Sequence, residues 1–571
     1  MRVKRISELL ADVAQTAPAW LIVTMFGILS HGLLPFTDYV LWDGWWCTAE
    51  LARNDGTPVM RRMFSEVGRP LDIVFYWIAN IFPGGPTLWS KILSVSAWIT
   101  SCVCMGAVLR RLAGVEAGVA NAVAILAVCA PTFDLLGELT LWMNTACVML
   151  FWLGWLLSTY LELLHGWKAV AARLLALVLF FISFNLNSNL VLFYASGVMF
   201  IGLRSWTPDR AEAARRSLSV AARHADFIVA PIIFWLCKSY LTPTSGYYAE
   251  GYNQPSLEPA RFVNGYLTMA TNFLITGFME LFASPAWVGV AAATLVGGVV
   301  GTRRCSPEAT AGLSAYGRPL ILWGLVILAA AAFPYLAVNQ QLASEGWLNR
   351  NAILCNFPLA VICVGILIVG CRIVPPVCMG HLIIGAVATA VLFAGNSNRN
   401  YLALQAFGAK QRSVQRKLMS AIKEHGPSVV QLRDYFFLPG TIAYYPPAIW
   451  TFMASGTAYP SAFVIDTRAI APDQLFRNSL GQMETVVPQL TPNSKQVEDA
   501  IESTTMPYAM KGIARSGPQI LFPILPGQLG SDSVKLGLQY LSLKVFCPSK
   551  VIEFEDRMTE TRVIALPKIA E

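Results

Sequence analysis

The sequence predicts an α-helical polytopic membrane protein with about 11 transmembrane helices. It adds interfacial helices in the first outer loop and a C-terminal extracytoplasmic α/β domain. Three observations predict this. The chain of 571 residues is 55% hydrophobic and 13% charged, roughly half the charge of a soluble globular chain. Its apolar residues gather into eleven runs that read as spans. Its basic residues are uneven, with 24 of 42 Lys and Arg in residues 1–396 and 18 in the shorter 397–571. The composition excludes a disordered chain, a disulfide-dense secreted module and an ordinary soluble enzyme. The net charge of +8 is no nucleic-acid footprint, because that needs cations clustered on a soluble surface.

The first run, Ala17 to Phe36, follows Arg2, Lys4 and Arg5 and lacks a small-residue cleavage site. It therefore reads as a retained helix rather than a signal peptide. Further runs cover 87–108, 118–133, 141–163, 169–184, 189–203, 224–241, 285–301, 319–338, 352–370 and 378–396. Basic residues near span ends set the orientation. A cytoplasmic N-terminus keeps Arg110/Arg111, Lys168/Arg173, the five Arg between Arg204 and Arg223, Arg303/Arg304/Arg318 and Arg372 inside, 16 cations with the first three. The expected location is the plasma or inner membrane.

Two outer segments depart from simple crossing. In the first outer loop, 37–86, the stretch Ile73–Phe82 is too short to span and should lie along the interface. The segment 258–283 is apolar enough to cross, but a crossing would move Arg303/Arg304 outside, so it reads as re-entrant or interfacial. Eleven crossings then leave the C-terminal domain outside. The chain divides into a membrane domain, 1–396, and an α/β domain, 397–571. Within the latter, 400–424 has a helical pattern and Ser461–Ile465, Gln519–Leu525 and Leu541–Phe546 read as buried strands. Thr491-Pro-Asn-Ser caps an expected helix over Lys495–Glu502. Most of the 12 Cys lie in apolar runs as small hydrophobes. Only Cys47 and Cys547 are placed where a bridge is worth weighing.

No phosphate-binding Gly-rich loop, paired-His metal motif or Gly-x-Ser-x-Gly elbow occurs. The chemistry-bearing segment is the first outer loop. Asp43 stands just past a membrane helix, before an amphipathic helix with Trp45, Ala49, Leu51 and Ala52 on one side, ended by Asn54-Asp-Gly. Arg69 then precedes Pro-Leu and the aromatic interfacial helix. A carboxylate takes a proton from an attacking hydroxyl, and a guanidinium holds phosphate oxygens through paired hydrogen bonds. Acid, cation and interfacial helix suit a reaction on a lipid-linked phosphosugar.

The segments Asp43-Gly-Trp-Trp-Cys-Thr-Ala and Arg69-Pro-Leu-Asp-Ile-Val-Phe-Tyr-Trp resemble two motifs of the GT-C membrane glycosyltransferases. The likeness is particularly to the protein mannosyltransferase and lipid A aminoarabinose transferase type, and covers roughly residues 15–110 by motif and the remainder by topology alone. In that family an acidic motif, Asp-Glu-x-x-Tyr-Ala, precedes a Lys-Pro-Pro-Leu segment. The Gly-Arg-Pro-Leu wording is also similar to O-antigen glucosyl-modifying transferases. Gly44 replaces the acid after Asp43, Arg69 replaces Lys, and Asn144 stands where the family often has a second Asp. Lys91 falls where an Arg often opens the second span. The resemblance implies an inverting transfer from a polyprenyl-phosphate sugar, with Asp43 as base and a saccharide, glycolipid or protein as acceptor.

Asp38, five residues earlier, is the rival base; Asp134 and Glu138, in an outer loop, are further acidic candidates. Donor phosphate binding falls to Arg69, Lys91 and Arg350. Acceptor binding falls to the loop with Tyr247, Tyr248, Glu250 and Tyr252, whose rings stack on sugars and whose carboxylate bonds hydroxyls. A divalent metal stays open, with no ligand set assigned. The bland alternatives are an N-capping role for Asp43, snorkelling of Arg69 and Lys91 and an aromatic belt at the tyrosines. Rival functions are a flippase of lipid-linked saccharides, which should show repeats and broken helices, and a non-catalytic glycan-assembly protein.

Overall fold

A computed structural model describes residues 18–41, 44, 47, 56–204, 210–245, 258–272, 279, 281–282, 284–301, 308–340, 342, 347–371, 379–425, 428–434, 436, 438, 462–466, 519–561 and 563–565. The helices in chain order are α1 (Ala19–His31), α2 (Gly56–Glu66), α3 (Asp72–Ile81), α4 (Pro86–Arg111), α5 (Ala117–Cys129) and α6 (Trp142–Ser158). They continue with α7 (Trp167–Ser183), α8 (Ser188–Arg204), α9 (Arg210–Arg223), α10 (Ala225–Leu241), α11 (Pro259–Ala270) and α12 (Pro285–Gly301). Last come α13 (Glu308–Ala337), α14 (Asn356–Cys371), α15 (Met379–His425), α16 (Ser533–Phe546) and α17 (Val551–Met558).

Every one of the eleven apolar runs is helical over most of its length. Among the described residues five helices are long and apolar enough to cross a membrane: Ala19–Phe36, Pro86–Arg111, Leu139–Ser158, Tyr316–Ala337 and Gly380–Glu424. The bent pair Ala214–Arg223 and Ala225–Leu241 makes a sixth if it is one span. Several remaining runs form shorter apolar helices, such as Ala117–Cys129 and Asn356–Gly370. In the 258–283 segment, α11 has 12 residues, about 18 Å of helix against a hydrocarbon core of about 30 Å.

The chain divides into two compact units, Met1–Pro35 with Pro58–Arg399, and Phe36–Thr57 with Asn400–Glu571. In the first, α4 packs on α1, α5 and α6, and α13 pairs with α14. Pro86 opens α4 behind Gly85, whose φ is +85°, and Arg110/Arg111 close it, the arrangement that helix ends favour. The α13–α14 pair is close because a Cβ on Gly365 would lie 2.9 Å from the Gly317 carbonyl oxygen. Small residues permit such backbone approach in membranes. An aromatic cluster of Phe151, Trp155, Phe180, Phe184 and Phe193 fills the space among α6, α7 and α8.

The second unit holds a five-stranded sheet in which β1 (Ser428–Asp434) lies between β2 (Ala462–Asp466) and β3 (Gln519–Pro526), both parallel to it. The strands β4 (Thr559–Thr561) and β5 (Ile564–Ala565) pair antiparallel with β3. The strands expected over Ser461–Ile465 and Gln519–Leu525 are present.

Leu541–Phe546 is not a strand but the end of α16. Asp532 caps α16 by accepting from the Lys535 amide at 3.0 Å, and its buried positions Ser533, Leu536, Gly537 and Tyr540 follow helical spacing. A six-residue apolar run does not reveal that period on its own. The amphipathic pattern at 45–52 and the capped helix at 491–502 lie outside the described residues, apart from Cys47. Cys47 is buried and Cys547 exposed, and the bridge weighed between them is not formed.

Candidate functional site

The position of Arg69 is set by how α2 ends. The Gly68 amide donates to the Ser65 carbonyl at 3.0 Å and the Arg69 amide to the Phe64 carbonyl at 2.8 Å. This is the Schellman closure, which requires a left-handed residue, and Gly68 supplies it with φ +75°. A Cβ at Gly68 would also lie 2.8 Å from the Thr242 carbonyl oxygen. The Ser245 amide bonds the Glu66 carbonyl at 2.8 Å, so the chain leaving α10 is laid against this turn. Pro70 then prevents the helix from continuing.

Asp72 opens α3 with an acid in its first turn, where the helix dipole favours one. Its carboxylate is 1% exposed and lies 3.0 Å from Arg69 Nε. Arg69 Nη2 donates to Asn144 Oδ1 at 3.1 Å, at the start of α6. The Asn185 amide donates to the other Asp72 oxygen. Burial pushes the Asp72 carboxyl above its ordinary range, while Arg69, Asn185 and Lys238 pull against it. Two contacts between α3 and α6 hold this geometry: the Trp142 indole donates to the Phe75 carbonyl at 2.7 Å, and the two rings meet edge to face at 5.7 Å.

The segment Asn185-Leu-Asn-Ser-Asn, from the turn after α7 into the start of α8, is the hub of the cluster. Asn185 holds Asp72, and Asn187 Oδ1 accepts from Lys238 Nζ at 2.9 Å. Ser188 bonds the Tyr335 hydroxyl at 3.1 Å, and Asn189 folds back on the Ser183 carbonyl at 2.9 Å. The charges of Arg69 and Arg350 both act on the Tyr335 hydroxyl. Asp72 and Asn144 thus hold Arg69 directly, and the 185–189 segment ties Asp72 to Lys238 of α10 and Tyr335 of α13.

No family model, curated protein or solved structure matches the chain.

Of the residues expected at the site, Arg69 is in the cluster, and Arg350, in the short 3-10 helix Trp347–Ala352, is within electrostatic reach of it. Glu138 is buried at 1% exposure and heads the 3-10 turn Leu139–Leu141. Asp134 begins the turn Asp134–Gly137. That turn packs on the Arg350 helix and on α4. Buried amides join the same loops: Asn349 donates to the Thr132 carbonyl at 2.9 Å and Asn356 to the Ala130 carbonyl at 2.9 Å. Lys91 lies in the second turn of α4, 1% exposed. Asp43, Tyr247, Tyr248, Glu250 and Tyr252 lie outside the described residues. Among the described residues no three His, Cys, Asp or Glu side chains gather to hold a metal.

Asp38 belongs to the second unit and to a different constellation. Its carboxylate pairs with Lys544 at 2.7 Å and Arg412 at 3.4 Å, and its amide donates to Gln405 Oε1 at 2.9 Å. Arg61 stacks over Trp77 and Arg62 pairs with Glu66 at high exposure, as solvated cations do.

Sequence reasoning missed Asp72, Asn185, Asn187, Lys238 and Tyr335. Signals were there for three of them. Asp72 follows Arg69 at i+3, and Lys238 is the lone cation of an apolar run, as intramembrane functional residues are. Asn185 belongs to three asparagines in five residues between two apolar runs.

Proposed function

We propose that the chain is a GT-C-type glycosyltransferase that moves a sugar from a polyprenyl-phosphate donor to a saccharide, glycolipid or protein acceptor. In this reading the chain crosses the membrane eleven times with a cytoplasmic N-terminus. The reaction and the C-terminal domain face the extracytoplasmic side of a plasma or inner membrane. One observation carries it: Arg69, in the segment resembling the family's second motif, is held by Asp72 and Asn144 in a cluster where, among the described residues, cations outnumber acids.

The chemistry is a displacement at the anomeric carbon. Asp43 takes the acceptor hydroxyl's proton, the oxygen forms the new glycosidic bond, and the bond to the donor phosphate breaks. The leaving phosphate keeps the electron pair, and Arg69 with Arg350 offsets its charge. Preorganised donors of this kind contribute most where charge develops. Asp38, already paired with Lys544 and Arg412, is engaged as a structural anchor, which favours Asp43 as base.

A second reading, a flippase, draws on the 61° bend between Ala214–Arg223 and Ala225–Leu241, since broken helices mark transporters. The break, however, falls at the basic end next to Arg223, and α9 is a polar helix with four Arg, the character of an interfacial helix.

The test is transfer from radiolabelled polyprenyl-phosphate sugars in membranes carrying wild type, Asp43→Asn or Asp38→Asn. Asp43→Asn should lose transfer by about 100-fold or more, with Asp38→Asn near wild type. Loss in Asp38→Asn alone moves the base, and activity surviving in both variants sinks the mechanism.

A further inference from the structure

Lys238 is a cation in an unusual setting. It lies in the last turn of α10, a helix otherwise uncharged after Asp226, and it is half-buried. Its ammonium donates to an amide, Asn187 Oδ1, at 2.9 Å, rather than pairing with a carboxylate. An ammonium carries three donors, and the Asn187 bond uses one. The charges of both Arg69 and Asp72 act on it. A mostly buried guanidinium and a half-buried ammonium thus act on each other, with Asp72 the acid acting on both among the described residues.

Such an arrangement is unfavourable unless something offsets the repulsion, because Coulomb interactions strengthen as the local dielectric falls. Asp72 offsets part of it. Arg69, Lys238 and Asp72 together carry one net positive charge, which matches the single negative charge of a phosphodiester. The scaffold also couples the two cations: Asn185 holds Asp72, which holds Arg69, and Asn187, two residues on, holds Lys238. One short loop therefore sets the spacing of both.

We propose that Lys238 is a further phosphate-binding cation, held by Asn187 so that it and Arg69 grip the same phosphate group. This rests on reading the Arg69 cluster as the donor-phosphate site. The recognised chemistry is a phosphate anion, and the lipid-linked and free forms are separated by experiment. A lysine in a final helical turn also has a purely structural role available, favoured by the helix dipole.

The experiment uses the full-length protein in detergent and measures equilibrium binding of undecaprenyl phosphate, of undecaprenol and of inorganic phosphate. Wild type should bind undecaprenyl phosphate well above the alcohol. Lys238→Met should weaken the phosphate lipid by about tenfold, as loss of a bond to a charged group does, and leave the alcohol unchanged. Lys238→Arg should restore most of the affinity. Asn187→Asp, which leaves the lysine in place but gives it a competing carboxylate, should act in the same direction and serves if Lys238→Met does not fold. Equal weakening of lipid phosphate and alcohol would make Lys238 a structural residue and overturn the proposal. Unchanged binding in Lys238→Met and Asn187→Asp, with loss in Arg69→Ala, would overturn it while sparing the Arg69 site. Unchanged binding in Arg69→Ala as well would remove the donor-phosphate reading and this inference with it. Inorganic phosphate bound as tightly as the lipid form would assign the site to the free anion and overturn the shared lipid-phosphate grip.

Discussion

Asp72 and Asp38 are both carboxylates beside two cations, yet they are built for different ends. Asp72 is 1% exposed, with Arg69 as its only ion-pair partner within 4 Å among the described residues, and its other contact is the Asn185 amide. Among the described residues Arg69 and Lys238 act on this one acid, and Asn144 and Asn185 bond the Arg69–Asp72 pair. Asp38 joins a balanced set. It pairs with Lys544 and Arg412, and nearby Arg416 serves both Glu555 and Asp556. Tyr540, fully buried, donates to Glu555 and lies 3.5 Å from Asp38. Burial, then the bond to Glu555, pushes the Tyr540 hydroxyl's pKa well up, so it stays a donor. A set whose charges cancel internally holds segments together. A set with charge left over suits an anion.

That contrast can be broken, and the largest effect is expected at Asp72. Asp72→Ala leaves the Arg69 guanidinium without its ion-pair partner in a mostly buried setting, and removing one partner of a buried pair costs about 3 kcal/mol. A fall of that size in unfolding free energy, read in denaturant titrations of the purified protein, is the expected outcome. A change below about 0.5 kcal/mol would mean the pair does not organise the site.

Next is Glu555→Gln, which strips the charge from bonds to Arg416 and Tyr540 and should cost about 2 kcal/mol. Hydrogen exchange should show faster exchange in α16 and α17 with sugar transfer unchanged. Loss of transfer without faster exchange would give the second unit a chemical role and dissolve the contrast.

The smallest effect is expected for the Asp38–Lys544 pair. Its side chains are 17% and 28% exposed, and pairs open to water are worth under about 1 kcal/mol. A double-mutant cycle with Asp38→Asn and Lys544→Met should return a coupling in that range. A coupling above about 2 kcal/mol would place this pair with the buried kind.

The Arg69 turn was legible in part from residues alone. Glycine then Arg-Pro is a helix stop with a built-in left-handed residue, and a lone guanidinium after it, at a membrane surface, invites an anion. The partners were less legible because they come from remote stretches: Asn144, Asn185 and Lys238 are 75, 116 and 169 residues downstream of Arg69. Leu541–Phe546 failed for a local reason. Its six apolar residues carry no decisive period, and the cap at Asp532 lies nine residues before them.

By itself the sequence determined the class of the protein and the helical state of its eleven apolar runs. A backbone away from water must bond to itself, and a helix does so within one segment. It also marked β2 and β3, but it gave no reading of β1 between them and took the helical Leu541–Phe546 for a strand. Only the tertiary structure decided which polar groups share a neighbourhood. Segment-level hydropathy is additive along the chain, whereas the meeting of Arg69, Asp72, Asn185 and Lys238 depends on how four helices pack. The same holds for Asp38, whose five-residue distance from Asp43 in sequence gave no hint that it is tied to Lys544, some 500 residues away.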